Sequence, residues 1–244
     1  MSNLLFRLDK KLLDIVVQIG GLASQMGFKA YLVGGPVRDL LLNAPHIDLD
    51  ITVEGSGIRL AEKFAALHRG SKLVRYLAFK TATVQLSYGR MIDFATARKE
   101  TYVRPGAFPK VTPSDIRDDL FRRDFTINAI AIAIHPDTWS QEVDPFGGRK
   151  DLCSKKIRVL HEKSFYDDPT RILRAARFAA RLHFTIERGT FKLIKEAIGH
   201  RALETIKPQR YKKEFDKIVK QEASGAAMAY LRSWNALKTL NPKI

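Results

Sequence analysis

The stretch Tyr31-Leu32-Val33-Gly34-Gly35-Pro36-Val37-Arg38-Asp39-Leu40-Leu41-Leu42-Asn43-Ala44-Pro45-His46-Ile47-Asp48-Leu49-Asp50-Ile51-Thr52-Val53 decides the reading. Tyr31-Leu32-Val33 is a short apolar run of strand type. Gly34-Gly35 follows as a tight turn, and Pro36 has the fixed φ that suits the first turn of a helix. Residues 37–42 make a short helix. Asn43 tolerates the left-handed cap, and Pro45 cannot continue a helix. Residues 48–53 then alternate polar and apolar. As a strand they put Asp48 and Asp50 side by side on one face and Leu49, Ile51 and Val53 on the core face.

Two carboxylates that close repel each other, and a divalent cation between them removes the repulsion. Mg²⁺ typically takes one or two carboxylates together with substrate phosphates. The Gly34-Gly35 turn before a helix offers backbone N–H groups and a positive dipole end to phosphate. Arg38 adds a bidentate fork. One stretch therefore offers both a phosphate cradle and a metal site at Asp48 and Asp50. The alternative is an ordinary strand–turn–helix followed by a solvent-facing Asp pair. A strand, Gly-Gly, a helix and then Asp-x-Asp resemble the polymerase-β-type nucleotidyltransferases. The fuller string GGPVRDLLL…DLD resembles the first motif of the tRNA nucleotidyltransferase and bacterial poly(A) polymerase family.

Composition sets wider bounds. The 244 residues suffice for one large or two small domains. With 45% hydrophobic and 28% charged residues the chain is globular rather than disordered. Lys and Arg number 42 against 26 Asp and Glu, a net charge of +16. That excess points to a polyanion such as nucleic acid. A solubility surface would mix its signs more evenly. Basic amphipathic anchors and apolar runs long enough to span a bilayer are both lacking, so no membrane partner is expected. The single cysteine, Cys153, excludes an internal disulfide framework and a multi-cysteine zinc site, and it fits a cytoplasmic setting. The N-terminal segment carries Asp9 and Asp14 and does not have signal-peptide form.

Along the chain, apolar spacing predicts a helix over 8–26, with Gly20-Gly21 as a weak point. A helix over 58–68 and strands over 73–76, 81–87 and 90–95 follow. Asp93 lies mid-strand among apolar residues, where a lone buried carboxylate is costly. A third metal-side carboxylate explains it, as in the family's third acidic position; a bond to neighbouring backbone is the alternative. Residues 98–120 break the periodicity with three prolines, a glycine and many charges. They read as a long mobile loop, and such loops are usually functional. The pattern Tyr102…Pro105-Gly106-Ala107…Pro109-Lys110-Val111 resembles the loop of family members that add the terminal A.

Arg122-Arg123-Asp124-Phe125-Thr126-Ile127-Asn128-Ala129 resembles the family's second motif. Two adjacent arginines suit a triphosphate, and Asp124 and Asn128 could fix a ribose or the loop. For the arginines alone, a basic helix cap before a strand over 127–134 is the alternative. Residues 143–148 are a turn, and 156–160 a further strand. Asp168 before Pro169 is a strong helix start, with Asp168 as N-cap. Arg171, Arg174 and Arg177 repeat every three residues and give that helix a cationic stripe. The family has Glu-Asp-x-x-Arg here, with Asp167 in place of the Glu. Helices over 188–199, 203–221 and 226–237 complete the chain.

The resemblance implies an α/β (α+β) nucleotidyltransferase head with a small mixed sheet over 1–160, and an all-helical neck over 161–221. Residues 222–244 would begin a helical body. Family members usually continue into body and tail regions that grip tRNA, so either this chain is a shortened piece or a partner protein supplies the grip. The implied reaction adds C, A or the whole CCA from CTP and ATP to the tRNA 3′ end, by a two-metal mechanism with two Mg²⁺ ions. Asp48 and Asp50 would hold the metal and Asp93 would assist. Gly34, Gly35, Arg38 and Arg123 would hold the triphosphate, and Asp168 and Arg171 would read the base. Arg174 and Arg177 would serve phosphates or hold the helix. A poly(A) polymerase, or a non-catalytic RNA-binding protein on the same fold, are the alternatives.

Overall fold

The computed structural model describes residues 4–44, 48–220 and 223–239. Pro45, the expected helix stop, and Gln221, the expected end of the neck, lie outside the described residues. Contacts divide the chain into two compact units. The first contains Met1–Lys99, Val111–Arg123 and Asn128–Gly148; the second contains Glu100–Lys110, Asp124–Ile127 and Arg149–Ile244. The division is thus not a single cut near residue 160. Two short inserts from the expected head region group with the C-terminal half.

The first unit begins with a 3-10 turn, Leu4–Arg7, and helix α1, Lys10–Gln25, capped by Asp9. Strand β1 is Lys29–Val33, helix α2 Gly35–Leu41, β2 Leu49–Glu54 and α3 Gly57–Leu67. Strands β3 (Lys72–Tyr76), β4 (Thr81–Gln85) and β5 (Met91–Thr96) follow as a meander. Then come β6 (Arg98–Thr101), β7 (Lys110–Pro113), helix α4 (Ile116–Phe121), β8 (Ala131–Ala133) and β9 (Glu142–Val143).

Seven of these strands form one mixed sheet in the order β3-β4-β5-β2-β1-β8-β9. Among the described residues of this sheet, only β2 and β5 pair in parallel. The alternation expected for β2 holds. Leu49, Ile51 and Val53 are buried with Ile92 and Phe94 of β5, and Phe64, Leu60 and Ile19 are buried from the helices. α1 runs unbroken through Gly20-Gly21. A Cβ at Gly20 would stand 1.9 Å from the carbonyl oxygen of Ile134. That glycine therefore allows α1 to approach the backbone after β8, and is a contact rather than a weak point.

The expected structureless loop over 98–120 is corrected. β6 and β7 form a two-stranded sheet, and α4 starts at Ile116 with Asp115 as its N-cap. Glu54 Oε1 accepts from the Ile116 backbone N–H at 2.9 Å, tying α4 to the end of β2. The strand expected over 127–134 is shorter too: Thr126–Asn128 is a 3-10 turn, and pairing with β1 begins at Ala131.

The second unit holds α5 (Gly148–Cys153), β10 (Lys156–Ile157), α6 (Ser164–Asp167) and α7 (Thr170–Leu182). It continues with β11 (Thr185–Ile186), α8 (Arg188–Gly199), α9 (Pro208–Val219) and α10 (Ser224–Ser233). α7 is its centre: Ile172, Leu173, Ala175, Ala176 and Ala179 are buried, and α9 and α10 pack on it. β10 and β11 pair in parallel. The single helix expected over 203–221 is broken. Ala202–Thr205 is a 3-10 turn, Ile206 and Lys207 are extended, and α9 starts at Pro208. The clash of a proline ring with the preceding residue drives Lys207 out of the helical region. The helix expected over 226–237 likewise ends at Ser233, and Asn235 takes a positive φ of 62°. Among the described residues no helix is long and apolar enough to cross a membrane.

Candidate active site

In the first unit, the parallel register places Asp50 directly beside Asp93. Both side chains stand away from the buried face that carries Leu49, Ile51 and Phe94. Asp48, at the start of the same strand, is exposed. Asp93 is also exposed, so the expectation of a buried lone carboxylate is corrected. Its apolar neighbours point to the other face, as strand alternation requires. The Thr83 hydroxyl on β4 donates to Asp93 Oδ1. Burial pushes the Asp50 carboxyl up to about 6; Asp93 and Asp48 push the same way, while Arg123 and Arg38 oppose. Of the three acidic residues expected at the site, Asp93 and Asp48 thus both act on Asp50. Among the described residues, no set of three or more His, Cys, Asp or Glu is arranged to hold a metal ion by itself.

The cradle lies at the end of β1. Gly34 has φ +72°, and a Cβ there would stand 2.6 Å from Arg123 Nη1. The glycine thus serves two ends: a left-handed turn and room for a guanidinium. The Gly34 N–H donates to Ile130 O at 3.2 Å, so this amide is committed to the fold. Asn43 takes the left-handed conformation after α2, with φ 54°. Arg38, 3% exposed, sends Nε and Nη2 to the two oxygens of Asp39 at 2.8 and 2.9 Å. Its Nη1 donates to Asn128 Oδ1 at 2.6 Å. The fork expected for phosphate is thus turned onto Asp39, and Asn128 holds the same guanidinium.

Arg123 is held from below. Asp119 on α4 is fully buried; it accepts from Arg123 Nη2 at 2.8 Å and from Arg122 Nε and Nη2 at 2.9 and 2.6 Å. Burial alone would raise the Asp119 carboxyl, but Arg122 and Arg123 outweigh it and hold it low. Arg123 Nε is buried without a hydrogen-bond partner among the described residues. Asp119 was missed in sequence, although its spacing of three and four residues before the arginines is the helical ion-pair signal.

In the second unit, Asp124 and Arg174 form a buried pair: Arg174 Nε and Nη2 donate to Asp124 Oδ2 at 2.8 and 2.6 Å. Glu214 on α9 joins them. Arg174 Nη1 lies 3.5 Å and Arg177 Nε 3.9 Å from its Oε2, and Lys217 donates to Oε1 at 2.7 Å. Burial and the neighbouring Arg174 push the Arg177 guanidinium down to about 10. The expected cationic stripe is therefore largely neutralised. Asp124 and Glu214 lie against it, and Arg171 is buried with Nη1 on Ser164 Oγ at 2.6 Å. No sequence spacing pointed to Glu214.

Asp168 and Arg171 are one turn apart but are not bonded to each other. Asp168 Oδ1 takes the Thr170 N–H at 3.1 Å, the Thr170 hydroxyl at 2.6 Å and Arg210 Nη2 at 2.8 Å. The N-cap position falls on Pro169, one residue later than expected, with Asp168 capping from outside. The segment around Gly106 belongs to this unit as well. Its N–H donates to Tyr166 O at 3.2 Å, and its carbonyl accepts from Arg210 Nη1 at 3.0 Å. Lys207 and Arg210 each sit 5.4 Å from the Phe108 ring centre.

Comparison with known proteins shows the family and the fold. The family model for the poly A polymerase head domain matches residues 30–158, more than half of the chain. A second, described as a probable RNA and SrmB-binding site of polymerase A, matches residues 183–244. The A-adding tRNA nucleotidyltransferase of Aquifex aeolicus is 51% identical over 172 residues, covering 70% of this chain and 20% of that protein. The A-adding enzyme of Halalkalibacterium halodurans is 38% identical over 230 residues, covering 92% of this chain and 54% of that one. A solved CCA-adding enzyme in its apo form II superposes with a TM-score of 0.91 at 41% identity, over 99% of this chain and 57% of that chain. This chain thus spans about half or less of the relatives it matches. It belongs to the tRNA nucleotidyltransferase and bacterial poly(A) polymerase family.

Proposed function

We propose that this chain carries the head and neck of a template-independent RNA nucleotidyltransferase that adds A, C or the whole CCA to the tRNA 3′ end from ATP and CTP. The observation that carries the reading is Asp50 beside Asp93, with Asp48 at the same strand end and Gly34 and Arg123 next to them. Three coupled carboxylates with a buried member are hard oxygen donors that fit a hard divalent cation. Two carboxylates suffice for Mg²⁺ when phosphate oxygens complete its shell.

Asp48 and Asp50 would hold Mg²⁺, which supplies a lowered pKa for the 3′-hydroxyl and neutralisation of the leaving oxygen. The hydroxyl gives its proton to solvent water, its oxygen bonds to the α-phosphorus, the bond from that phosphorus to the bridging oxygen breaks, and pyrophosphate leaves. Arg123, whose Nη1 lies beside Gly34, binds the triphosphate. Arg38 shapes the cradle with Asn128 and Asp39. Asp93, oriented by Thr83, assists from the neighbouring strand.

In the second unit, Asp168 and Arg171 read the base. C and A both present an amino donor beside a ring-nitrogen acceptor, matching a carboxylate and a guanidinium. G and U present the reverse order and would leave buried groups unpaired. Asp168 Oδ2 takes none of the bonds that Oδ1 takes, and it is the oxygen that would accept the amino group. Arg174 with Asp124 sets the helix position, and Arg177 faces phosphate. The names of the A-adding relatives and the Gly106 segment favour addition of A. The +16 charge supports an RNA acceptor, and the single cysteine a cytoplasmic setting.

The test is nucleotide incorporation on three tRNAs ending before CCA, after C and after CC. Addition of A to the third is expected. No incorporation on any would overturn the reading. The name of the matched head-domain model favours a second one, poly(A) polymerase, which would extend unrelated RNAs by many A residues.

A further inference from the structure

We infer that the first unit carries a groove for the single-stranded 3′ end of the acceptor RNA, built from Arg7, Lys11, Tyr88, Arg90 and Met91 beside Asp48. The inference rests on reading Asp48 as part of the catalytic centre.

The sheet order places it. β5, β2 and β1 are neighbours in that order. β2 runs parallel to β5 and antiparallel to β1. The start of β5, the start of β2 and the end of β1 therefore lie at one sheet edge. Along that edge stand the β4–β5 turn, then Asp48 and Asp50, then the Gly34 cradle. Attacking and leaving oxygens in phosphoryl transfer are roughly in line across the phosphorus. With the triphosphate on the Gly34 and Arg123 side, the attacking hydroxyl must come from the side of the β4–β5 turn.

A cleft of about 860 Å³ lies there, and Asp48 lines it. Arg7 and Lys11 come from the N-terminal segment and Arg90 from the turn, so three cations on two segments line the cleft. Arg38 and Arg123 do not line it. Arg7 is steadied by Asn43, to whose Oδ1 its Nη1 donates at 2.9 Å. Asp9, the other acidic residue in the lining, is spent on capping α1 through the Leu12 N–H at 2.9 Å. The turn is closed by Leu86 N–H to Arg90 O at 2.8 Å and Gly89 N–H to Leu86 O at 2.9 Å. It holds out Tyr88, 64% exposed, and Met91, 52% exposed. Several cations lining a cleft with an exposed aromatic ring are what a single strand uses: charge for its backbone and a ring for a base to stack on. A compact triphosphate has no use for the ring.

The test is binding, read without catalysis. A 5′-labelled six-nucleotide single-stranded RNA is titrated with the full chain in metal-free buffer, and fluorescence anisotropy gives Kd. Tyr88→Ala should raise Kd about ten-fold, on the scale of losing one stacking platform, and Tyr88→Phe should restore it. The Arg7→Gln/Lys11→Gln double variant should reduce the slope of log Kd against log salt by roughly one to one and a half. ATP binding and melting temperature should stay unchanged in all three, since these side chains are on the surface. Unchanged RNA affinity in Tyr88→Ala and in the double variant would overturn the groove, and so would a loss of ATP affinity in its place. A chain that binds the oligonucleotide through these residues yet incorporates no nucleotide would overturn the proposed reaction and leave the groove standing.

Discussion

The two units treat buried charge in opposite ways. In the second, each carboxylate at the centre faces a cation: Asp124 faces Arg174, Glu214 faces Arg174, Arg177 and Lys217, and Asp168 faces Arg210. In the first, Asp50 has the exposed carboxylates Asp93 and Asp48 beside it, and both raise its carboxyl. Titration follows the difference. Burial, aided by like charge, raises the Asp50 carboxyl to about 6. Burial would raise Glu214 as well, but Arg174, Lys217 and Arg177 outweigh it and hold it low. The second unit meets the cost of its buried charges internally, whereas in the first the like-charged neighbours of Asp50 leave a cost that the proposed cation would relieve.

The comparison can be broken at several points. The largest effect is expected at Asp119, where the first unit pairs fully buried charge as the second does. Asp119→Ala leaves two arginines without their buried partner and should cost about 3–5 kcal/mol in denaturant unfolding. An effect under about 1 kcal/mol would show that Asp119 does not hold Arg122 and Arg123.

Next comes loss of chemistry without loss of fold. Asp48→Ala and Asp50→Ala should each cut nucleotide incorporation by about 10²–10³-fold, on the scale of removing one main electrostatic stabiliser. Their melting temperatures in metal-free buffer should not fall. Near-normal activity in either variant would remove the metal assignment. In the second unit the signs reverse: Glu214→Gln should lower stability by about 1.5–3 kcal/mol, the scale of hydrogen bonds to charged groups.

The pH dependence should diverge in the same way. Asp50 has a folded pKa above its unfolded value, so its contribution is fully present below pH about 4 and is lost as pH rises through about 6. Glu214 has a folded pKa below its unfolded value, so its contribution is present above that unfolded value and is lost as pH falls. Melting curves of Asp50→Asn and Glu214→Gln against wild type, from pH 4 to 7 in chelator, should open in opposite directions. Curves that run parallel would contradict the contrast.

The smallest stability effect is expected at Asp168. Loss of its cap on α7 alone predicts about 1 kcal/mol in Asp168→Ala, with nucleotide preference intact. Base reading predicts that discrimination against U and G falls as well, by about 1.5–3 kcal/mol. Incorporation of all four triphosphates beside thermal unfolding separates the two.

What was legible in the sequence follows from the range of the interactions. The alternation of Asp48 to Val53 and the Gly34-Gly35 turn are local, and the strand, the turn into α2 and the acidic face could be read from them. Asp93 was found because its position in β5 was clear, but its exposure was not, since that depends on which face α1 and α3 cover. The clamp of Asp124, Arg174 and Glu214 joins residues far apart in the chain, and no spacing encodes it. Arg38 looked ready for phosphate because its neighbour Asp39 was read only as a helix residue. The stretch over 98–120 looked structureless because prolines and charges hide short strands, and the docking of Gly106 on Tyr166 and Arg210 is again long-range.

The central claim is that Asp48, Asp50 and Asp93 are held together for a divalent cation. Its most direct test is calorimetric titration of Mg²⁺, with a non-hydrolysable ATP analogue present, into wild type and Asp50→Asn, with melting temperatures recorded beside it. Wild type is predicted to bind the ion and melt higher with it. Asp50→Asn is predicted to bind none, and to melt higher than wild type in ion-free buffer above pH 6. Retained binding in the variant, or a wild-type melting temperature that does not respond to the ion, would contradict the account.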